Sequence, residues 1–218
     1  MNGVTFGDKH SWRNWHCVLT SWDIPLPDVN EDRITVPGMD GSLDQTEYLS
    51  GITYKDRPPL KFHLTFIGPA TSYHQKRQEI AEYLHGKICR IIMDTDPDYY
   101  YEGRCSVDNF RAGKGIATFE IRCEGVVWKL RRTTTKVTKA LTSAYQNIVL
   151  HNERRRVVPT ITVQYATTIR MNGKTIDLAA GTHRILDFQL GEGMNIMEAR
   201  LKNTSTGTIT VEYQEASL

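Results

Sequence analysis

The sequence has no apolar run that approaches the roughly 20 residues needed to cross a bilayer. Residues 1–9 also lack the basic region and the following apolar stretch of a secretory signal. We therefore expect a protein that is neither inserted in a membrane nor secreted through a signal peptide. Hydrophobic residues make up 39% of the chain and charged residues 24%, a balance that is typical of a soluble globular protein.

The sequence has few cysteines and a low net charge. The four cysteines lie at positions 17, 89, 105 and 123, and no two of them form a CxxC pair. Four such cysteines in 218 residues do not make a disulfide framework, so we expect reduced, mostly buried thiols and synthesis in a cytoplasm. The formal net charge is only +2, which gives no reason to expect binding to nucleic acid phosphates.

The common catalytic and ligand-binding motifs are also missing. The sequence contains no G-x-S-x-G elbow, phosphate-binding loop or H-E-x-x-H pair. Residues 94–98 resemble the start of a calcium loop, but Tyr99 and Cys105 stand where that loop needs glycine and glutamate. His10, His16 and Cys17 lack the second ligand pair of a zinc site. We predict no enzyme, no cofactor and no metal site, and a hydrolase assembled from distant residues stays a minor alternative.

The first half of the chain is predicted to be mainly strands with one helix. Residues 60–66 and 117–123 alternate apolar and polar side chains, which indicates strands with one packed face. One helix is predicted over about 73–85, beginning with a capping box of Ser72 and Gln75 and ending at Gly86.

The second half carries short strands separated by frequent turns. Residues 131–156 are polar and basic, and we place a domain boundary early in this stretch, which gives domains 1–133 and 134–218. Strands are then predicted at 161–165, 169–171, 176–178, 186–190, 197–201 and 209–213, with a hairpin turn at Asn172-Gly173. This pattern favours a small antiparallel sandwich with Tyr165 and Tyr213 in its core.

Residues 25–59, called the arm below, do not fit a compact domain. They contain Pro25, Pro27, Pro37, Pro58 and Pro59. Their main apolar residues are Met39, Leu43, Tyr48, Leu49, Ile52 and Tyr54. Connections longer than about 12–15 residues are usually functional or disordered. The segment is therefore either a mobile surface loop or an arm that contacts a neighbouring copy.

Several segments, taken in order, resemble one protein family. They read VPGMDGSLD at 36–44, AEYLHGK at 81–87, DTDPDYYYEGR at 94–104, NGK at 172–174 and GEGMN at 191–195, with Gly51, Tyr54, Asp56 and Arg57 after the first of them. In this order and spacing they resemble the distal tail proteins of siphophages that infect Gram-positive hosts. The resemblance covers nearly the whole chain.

This resemblance implies a fold and an assembly. The implied fold is mainly β, with an N-terminal β-sandwich that has one helix and an extended arm, followed by a small galectin-like or jelly-roll sandwich. The implied role is structural, in a hexameric ring at the distal end of a long non-contractile tail. The ring would join the tail tube and the tape-measure protein to the tail-associated and receptor-binding baseplate proteins. DNA would pass through it without specific binding, in a virion assembled in the bacterial cytoplasm.

A closed ring needs head-to-tail contacts between two different surfaces, and a protruding arm is one way to build them. The residues predicted to form this subunit interface are Pro37, Gly38, Asp40, Gly41, Leu43, Tyr48, Tyr54 and Arg57. Prolines and glycines would shape the arm, and Arg57 would form a charge-assisted hydrogen bond. Leu43, Tyr48 and Tyr54 would be buried anchors. The alternative function is a carbohydrate-binding module for cell-wall recognition.

Overall fold

The computed structural model describes residues 3–48, 51–113 and 115–218. The chain divides into two compact units, Met1–Lys129 with Leu218, and Leu130–Ser217. The predicted fold class, mainly β with one α-helix, is confirmed. The roles assigned to domains 1–133 and 134–218 stay predictions. Within the described residues, no helix is long and apolar enough to cross a membrane.

The first unit is built on one large antiparallel sheet. The strands of this unit are β1 (Val4–Phe6), β2 (Lys9–His10), β3 (Cys17–Asp23), β4 (Arg33–Ile34), β5 (Leu43–Asp44), β6 (Leu60–Ile67), β7 (Ile88–Met93), β8 (Asp96–Gly113) and β9 (Ile116–Glu124). The main sheet runs in the order β2-β1-β7-β8-β9-β6-β3, and β4 pairs only with β5. The arm is therefore the connection between two neighbouring strands, β3 and β6.

The packed face of this sheet follows the predicted alternation. Leu60, Phe62 and Leu64 are fully buried, while the residues between them are half-buried. On the same face, the Phe6 ring is stacked on that of Trp15, with the ring centroids 6.0 Å apart. It also contacts the Phe62 ring edge-on, with the centroids 5.4 Å apart. The strand predicted at 60–66 is thus confirmed, and its apolar side forms the centre of the core.

The single described helix, α1 (Tyr73–Leu84), packs Tyr73, Ile80 and Leu84 into the same core. The predicted capping box is wrong, because the Ser72 side chain makes no cap hydrogen bond. A short 3₁₀ turn, Ala70–Ser72, precedes the helix, and Ser72 Oγ donates to the Pro69 carbonyl at 2.8 Å instead. Gly86 has a φ of +79°, as predicted for the residue that ends the helix.

The second unit is a sandwich of two four-stranded sheets, in the orders β11-β18-β13-β16 and β12-β17-β14-β15. The strands of the sandwich are β11 (Thr135–Leu141), β12 (Gln146–Asn152), β13 (Thr160–Val163), β14 (Thr167–Met171), β15 (Lys174–Leu178), β16 (Gly181–Arg184), β17 (Gly193–Leu201) and β18 (Gly207–Tyr213). Two short strands outside these sheets, β10 (Lys129–Arg131) and β19 (Ala216–Ser217), pair with each other. Apolar residues from both sheets form a separate core around Phe188, which is fully buried.

Three sequence predictions in this unit need correction. Residues 186–190 form no strand, because the chain turns there and only Leu190 makes an isolated bridge, to Val157. Strands β11 and β12 lie inside the stretch that was interpreted as a basic boundary. Tyr165 is 41% exposed, because β13 ends at Val163 and the chain has already left the sheet. Tyr213 is buried as predicted.

Candidate functional site

The arm is a long hairpin-like excursion from the first unit. Its two legs are joined at β4 and β5, where Arg33 pairs with Asp44 and Ile34 with Leu43. Nearer the body, Asn30 N donates to the Thr53 carbonyl at 2.9 Å. The legs therefore run antiparallel, and residues 35–42 form the tip.

Side chains add to the bonds between the legs. Asp32 N donates to Thr46 Oγ1 at 3.0 Å, and Thr46 N donates to Asp44 Oδ1 at 3.0 Å. The hydrogen bonds from the side chain and backbone of Thr46 lower the pKa of the Asp44 carboxyl below its ordinary value. The Asp44 carboxylate thus accepts a hydrogen bond from the backbone of Thr46 and caps the turn that begins the second leg.

The arm exposes an unusual amount of apolar surface. Every residue from 30 to 44 is exposed to solvent. The large apolar side chains that are exposed in the arm are Leu26, Ile34, Val36, Met39, Leu43, Tyr48 and Ile52, and Tyr48 reaches 82%. Because apolar surface of this extent is costly to leave in water, it indicates a surface that contacts another molecule.

The arm is also acidic. Between residues 28 and 53 the acidic residues are Asp28, Glu31, Asp32, Asp40, Asp44 and Glu47, against the single basic residue Arg33. Arg33 Nε lies 3.1 Å from Glu31 Oε2, so one carboxylate is paired within the arm. A surface complementary to the arm would combine apolar pockets with basic residues around them.

Arg57 holds the base of the arm to the body. Its side chain donates to the Pro25 carbonyl and to the Val127 carbonyl, both at 3.0 Å, and its backbone N donates to the Val126 carbonyl at 2.9 Å. The residue is only 3% exposed, and this burial lowers the pKa of the guanidinium, an effect that nearby Tyr101 opposes. This placement favours a structural role for Arg57 at the base of the arm over the predicted contact with a neighbour.

The structure separates the eight predicted interface residues into two groups. Tyr54 joins Arg57 at the base, where its ring meets Trp128 edge-on at 5.3 Å. Pro37, Gly38, Asp40, Gly41, Leu43 and Tyr48 all lie exposed on the distal part of the arm. Gly38 and Gly41 have φ angles of +83° and +82°, which only glycine adopts readily, so these two residues shape the tip. Leu49, one of the predicted anchors, lies outside the described residues.

Sequence reasoning missed three exposed residues of the arm, Leu26, Ile34 and Val36. Ile34 and Val36 have the spacing of a buried strand. Nothing in the sequence says that this strand pairs with only one other and covers no core. The nearby prolines indicate an irregular segment, but they do not show which of its side chains are exposed.

The main sheet also carries a pocket with polar side chains. A pocket of about 470 Å³ is lined there by Ser21, His63, Asn109 and Glu120, among others. His63 Nδ1 lies 3.8 Å from Glu120 Oε2, which is too far for a hydrogen bond. A charge relay through these residues is therefore not assembled. Across the described ranges, no cluster of three or more His, Cys, Asp and Glu side chains could bind a metal ion.

Comparison with solved structures finds a similarity over the full length of the chain. The chain matches the crystal structure of the SPP1 Dit protein (gp 19.1), described as a paradigm of the hub adsorption apparatus in phages that infect Gram-positive hosts. The TM-score is 0.66, the sequences are 14% identical, and the match covers 100% of both chains. No protein-family model and no curated protein sequence matches the chain. The predicted resemblance to distal tail proteins is therefore confirmed at the level of the fold.

Proposed function

We propose that this chain is a structural protein of a phage virion, which forms a hexameric ring at the distal end of a long non-contractile tail. The observation that carries the proposal is the arm, whose distal residues are apolar, acidic and exposed while its base is bonded into the first unit. The shared fold with the SPP1 hub protein supports the tail-tip location.

The arm supplies the two different surfaces that a closed ring requires. In a head-to-tail contact, the arm of one copy meets a different surface of the next copy, and six such contacts close the circle. Leu43 and Tyr48 would be buried in this contact, because they are large, apolar and exposed in the single chain. Proline and glycine residues at the tip would fix the direction in which these side chains point.

The ring would join several components of the tail. On one side it would meet the tail tube and the end of the tape-measure protein, and on the other the tail-associated and receptor-binding baseplate proteins. DNA would leave the head through the central channel without a specific contact. The second unit would offer its outer surfaces to the baseplate proteins.

The mass of the protein in solution tests this proposal. We expect a species of six times the 24.9 kDa of one chain, at least at raised protein concentration, in sedimentation velocity and native mass spectrometry. Negative-stain images of this species should show rings. A single chain at every concentration, also in the presence of the tail tube protein, would contradict the ring.

A carbohydrate-binding module is the second candidate, and one observation favours it. Tyr165 is exposed on the second unit and could stack on a sugar ring. The other aromatic residue on an outer face, Tyr145, has Arg170 and Arg200 over its ring at 3.9 and 4.7 Å, so that ring is occupied. We expect no signal on an array of bacterial cell-wall glycans, and binding that is lost in Tyr165→Ala would favour this second function.

A further inference from the structure

Three of the four cysteines meet in the core of the first unit. Cys105 on β8 pairs in register with Cys123 on β9, and Cys89 on β7 pairs with Gly103 on β8. Cys105 and Cys123 are completely buried, whereas Cys89 is partly exposed. Because Cys123 lies opposite Cys105, and Cys89 lies opposite Gly103 two residues before Cys105 on the same strand, all three side chains lie on the same face of the sheet.

The backbone around Cys105 fixes the geometry of its pair with Cys123. Cys105 N donates to the Lys87 carbonyl and the Cys105 carbonyl accepts from Gly86 N, both at 2.8 Å. Both backbone groups of Cys105 therefore point away from β9, so Cys105 and Cys123 form a non-hydrogen-bonded pair of the β8–β9 ladder. The Cα atoms of such pairs lie about 4.5 Å apart, within the range of about 4.4–6.8 Å that a disulfide spans.

Gly103 makes room for this arrangement. A Cβ atom at position 103 would lie 2.6 Å from Cys123 Sγ, so the thiol of Cys123 occupies space that any other residue would fill. Cys89 is a diagonal neighbour of Cys105, and diagonal pairs lie about 7–8 Å apart, so a disulfide between them requires backbone movement and is strained. The directly opposed pair is therefore the stable end point of oxidation.

We propose that this cluster is an oxidation site, in which Cys89 reacts with a small-molecule disulfide and transfers the oxidation to Cys105 and Cys123, which form a cross-strand disulfide. The Cys89 thiolate attacks a sulfur of glutathione disulfide and releases one glutathione thiolate. Cys105 then displaces the second glutathione from Cys89, and Cys123 displaces Cys89 from Cys105. In total, two protein thiols lose two protons and two electrons, and glutathione disulfide is reduced to two glutathione thiols.

The environment of the thiols makes the reaction slow and pH-dependent. Burial raises the pKa of Cys89 above its ordinary value, and the hydrogen bond with Cys123 together with burial does the same for Cys105. Since the thiolate is the attacking species, oxidation should become faster as the pH rises. A chain made in a reducing cytoplasm would keep its thiols and acquire the link only after release from the cell. This chemistry does not depend on the ring.

The experiment uses the full chain incubated with glutathione disulfide at pH 8.5, followed by alkylation, proteolysis and mass spectrometry. We expect a linked peptide pair that contains Cys105 and Cys123, with Cys17 and Cys89 alkylated after denaturation. The link closes the chain around residues 106–122 and should raise the thermal midpoint of the first unit by about 6–12 °C. A product that stops at glutathionylated Cys89, or that links Cys89 to Cys105, would overturn the proposed end point.

Variants separate the steps. Cys89→Ser should slow formation of the link at least tenfold, and an unchanged rate would overturn the transfer through Cys89. Cys123→Ser removes only the last step, so oxidation should stop at Cys89, as its mixed disulfide with glutathione or its strained disulfide with Cys105, and less of the chain should be oxidised. Cys17→Ala is the matched control, because Cys17 is equally buried but donates to the Trp15 carbonyl on another part of the sheet. Its rate of oxidation should equal that of the unaltered chain.

Discussion

Replacement of residues 31–52 by an Asn-Gly turn is expected to prevent the proposed ring from forming and to leave single chains that remain folded. The ends of the replaced segment are close, because Asn30 N donates to the Thr53 carbonyl at 2.9 Å, and a two-residue turn can join such strands. Among the described residues of the segment, the hydrogen bonds and the ion pair lie within the arm. Sedimentation velocity should show the mass of one chain, with a thermal midpoint close to that of the unaltered protein.

Two pairs of point variants provide a second test of the arm and its matched control. Leu43→Ala with Tyr48→Ala removes two exposed apolar side chains of the arm, and we expect the ring to dissociate at concentrations roughly 30-fold to 1000-fold higher. Leu186→Ala with Tyr165→Ala removes two exposed large side chains from the second unit, where Leu186 is 72% exposed. This control should leave the mass of the assembly in solution unchanged. An intact ring after the arm replacement would contradict the arm as the contact between copies.

Arg57→Met is expected to lower the free energy of unfolding by roughly 2–4 kcal/mol, because two buried carbonyls lose their donors. These are the carbonyls of Pro25 and Val127, which Arg57 joins across the base of the arm. The loss is partly offset, since methionine does not carry the desolvation cost that lowers the pKa of this guanidinium. Urea unfolding followed by fluorescence measures the difference.

Arg33→Met is the control for this variant. Arg33 lies on the arm with its side chain 55% exposed and pairs with Glu31 at the surface, where such pairs contribute about 0–1 kcal/mol. We expect its stability to match that of the unaltered chain. If Arg57→Met instead keeps full stability and loses the ring, Arg57 belongs to the interface as the sequence predicted, and its role at the base of the arm is wrong.

Alternation of side chains was enough to predict the strands whose two faces differ. Strand β6 was found this way, because Leu60, Phe62 and Leu64 face the core and the residues between them do not. Strand β12 was missed, although Ile148 and Leu150 are buried, because the surrounding arginines and lysines suggested a solvated boundary. Charged residues indicate which side chains of a strand are exposed to solvent. One solvent-exposed face does not prevent the opposite face of the same strand from packing in a core.

The arm was predictable as a segment, but its contacts were not. Its prolines and its length marked it as irregular. The role of Arg57 depends on carbonyls 32 and 70 residues away, and a backbone carbonyl leaves no trace in residue type. The pairing of Cys105 with Cys123 likewise depends on the register of two strands, which the spacing of cysteines does not reveal.

The ladder between β4 and β5 has only two residue pairs, and this shortness bears on how a ring would grow. A two-stranded ribbon alone is marginally stable in water. When the arm binds a neighbouring copy, ordering of its two legs therefore costs conformational entropy. Each single junction is weakened by that cost. The last junction of a closed circle joins parts that are already tethered, at a high effective concentration. Partial arcs should therefore be rare, and free chains should be in equilibrium mainly with complete circles.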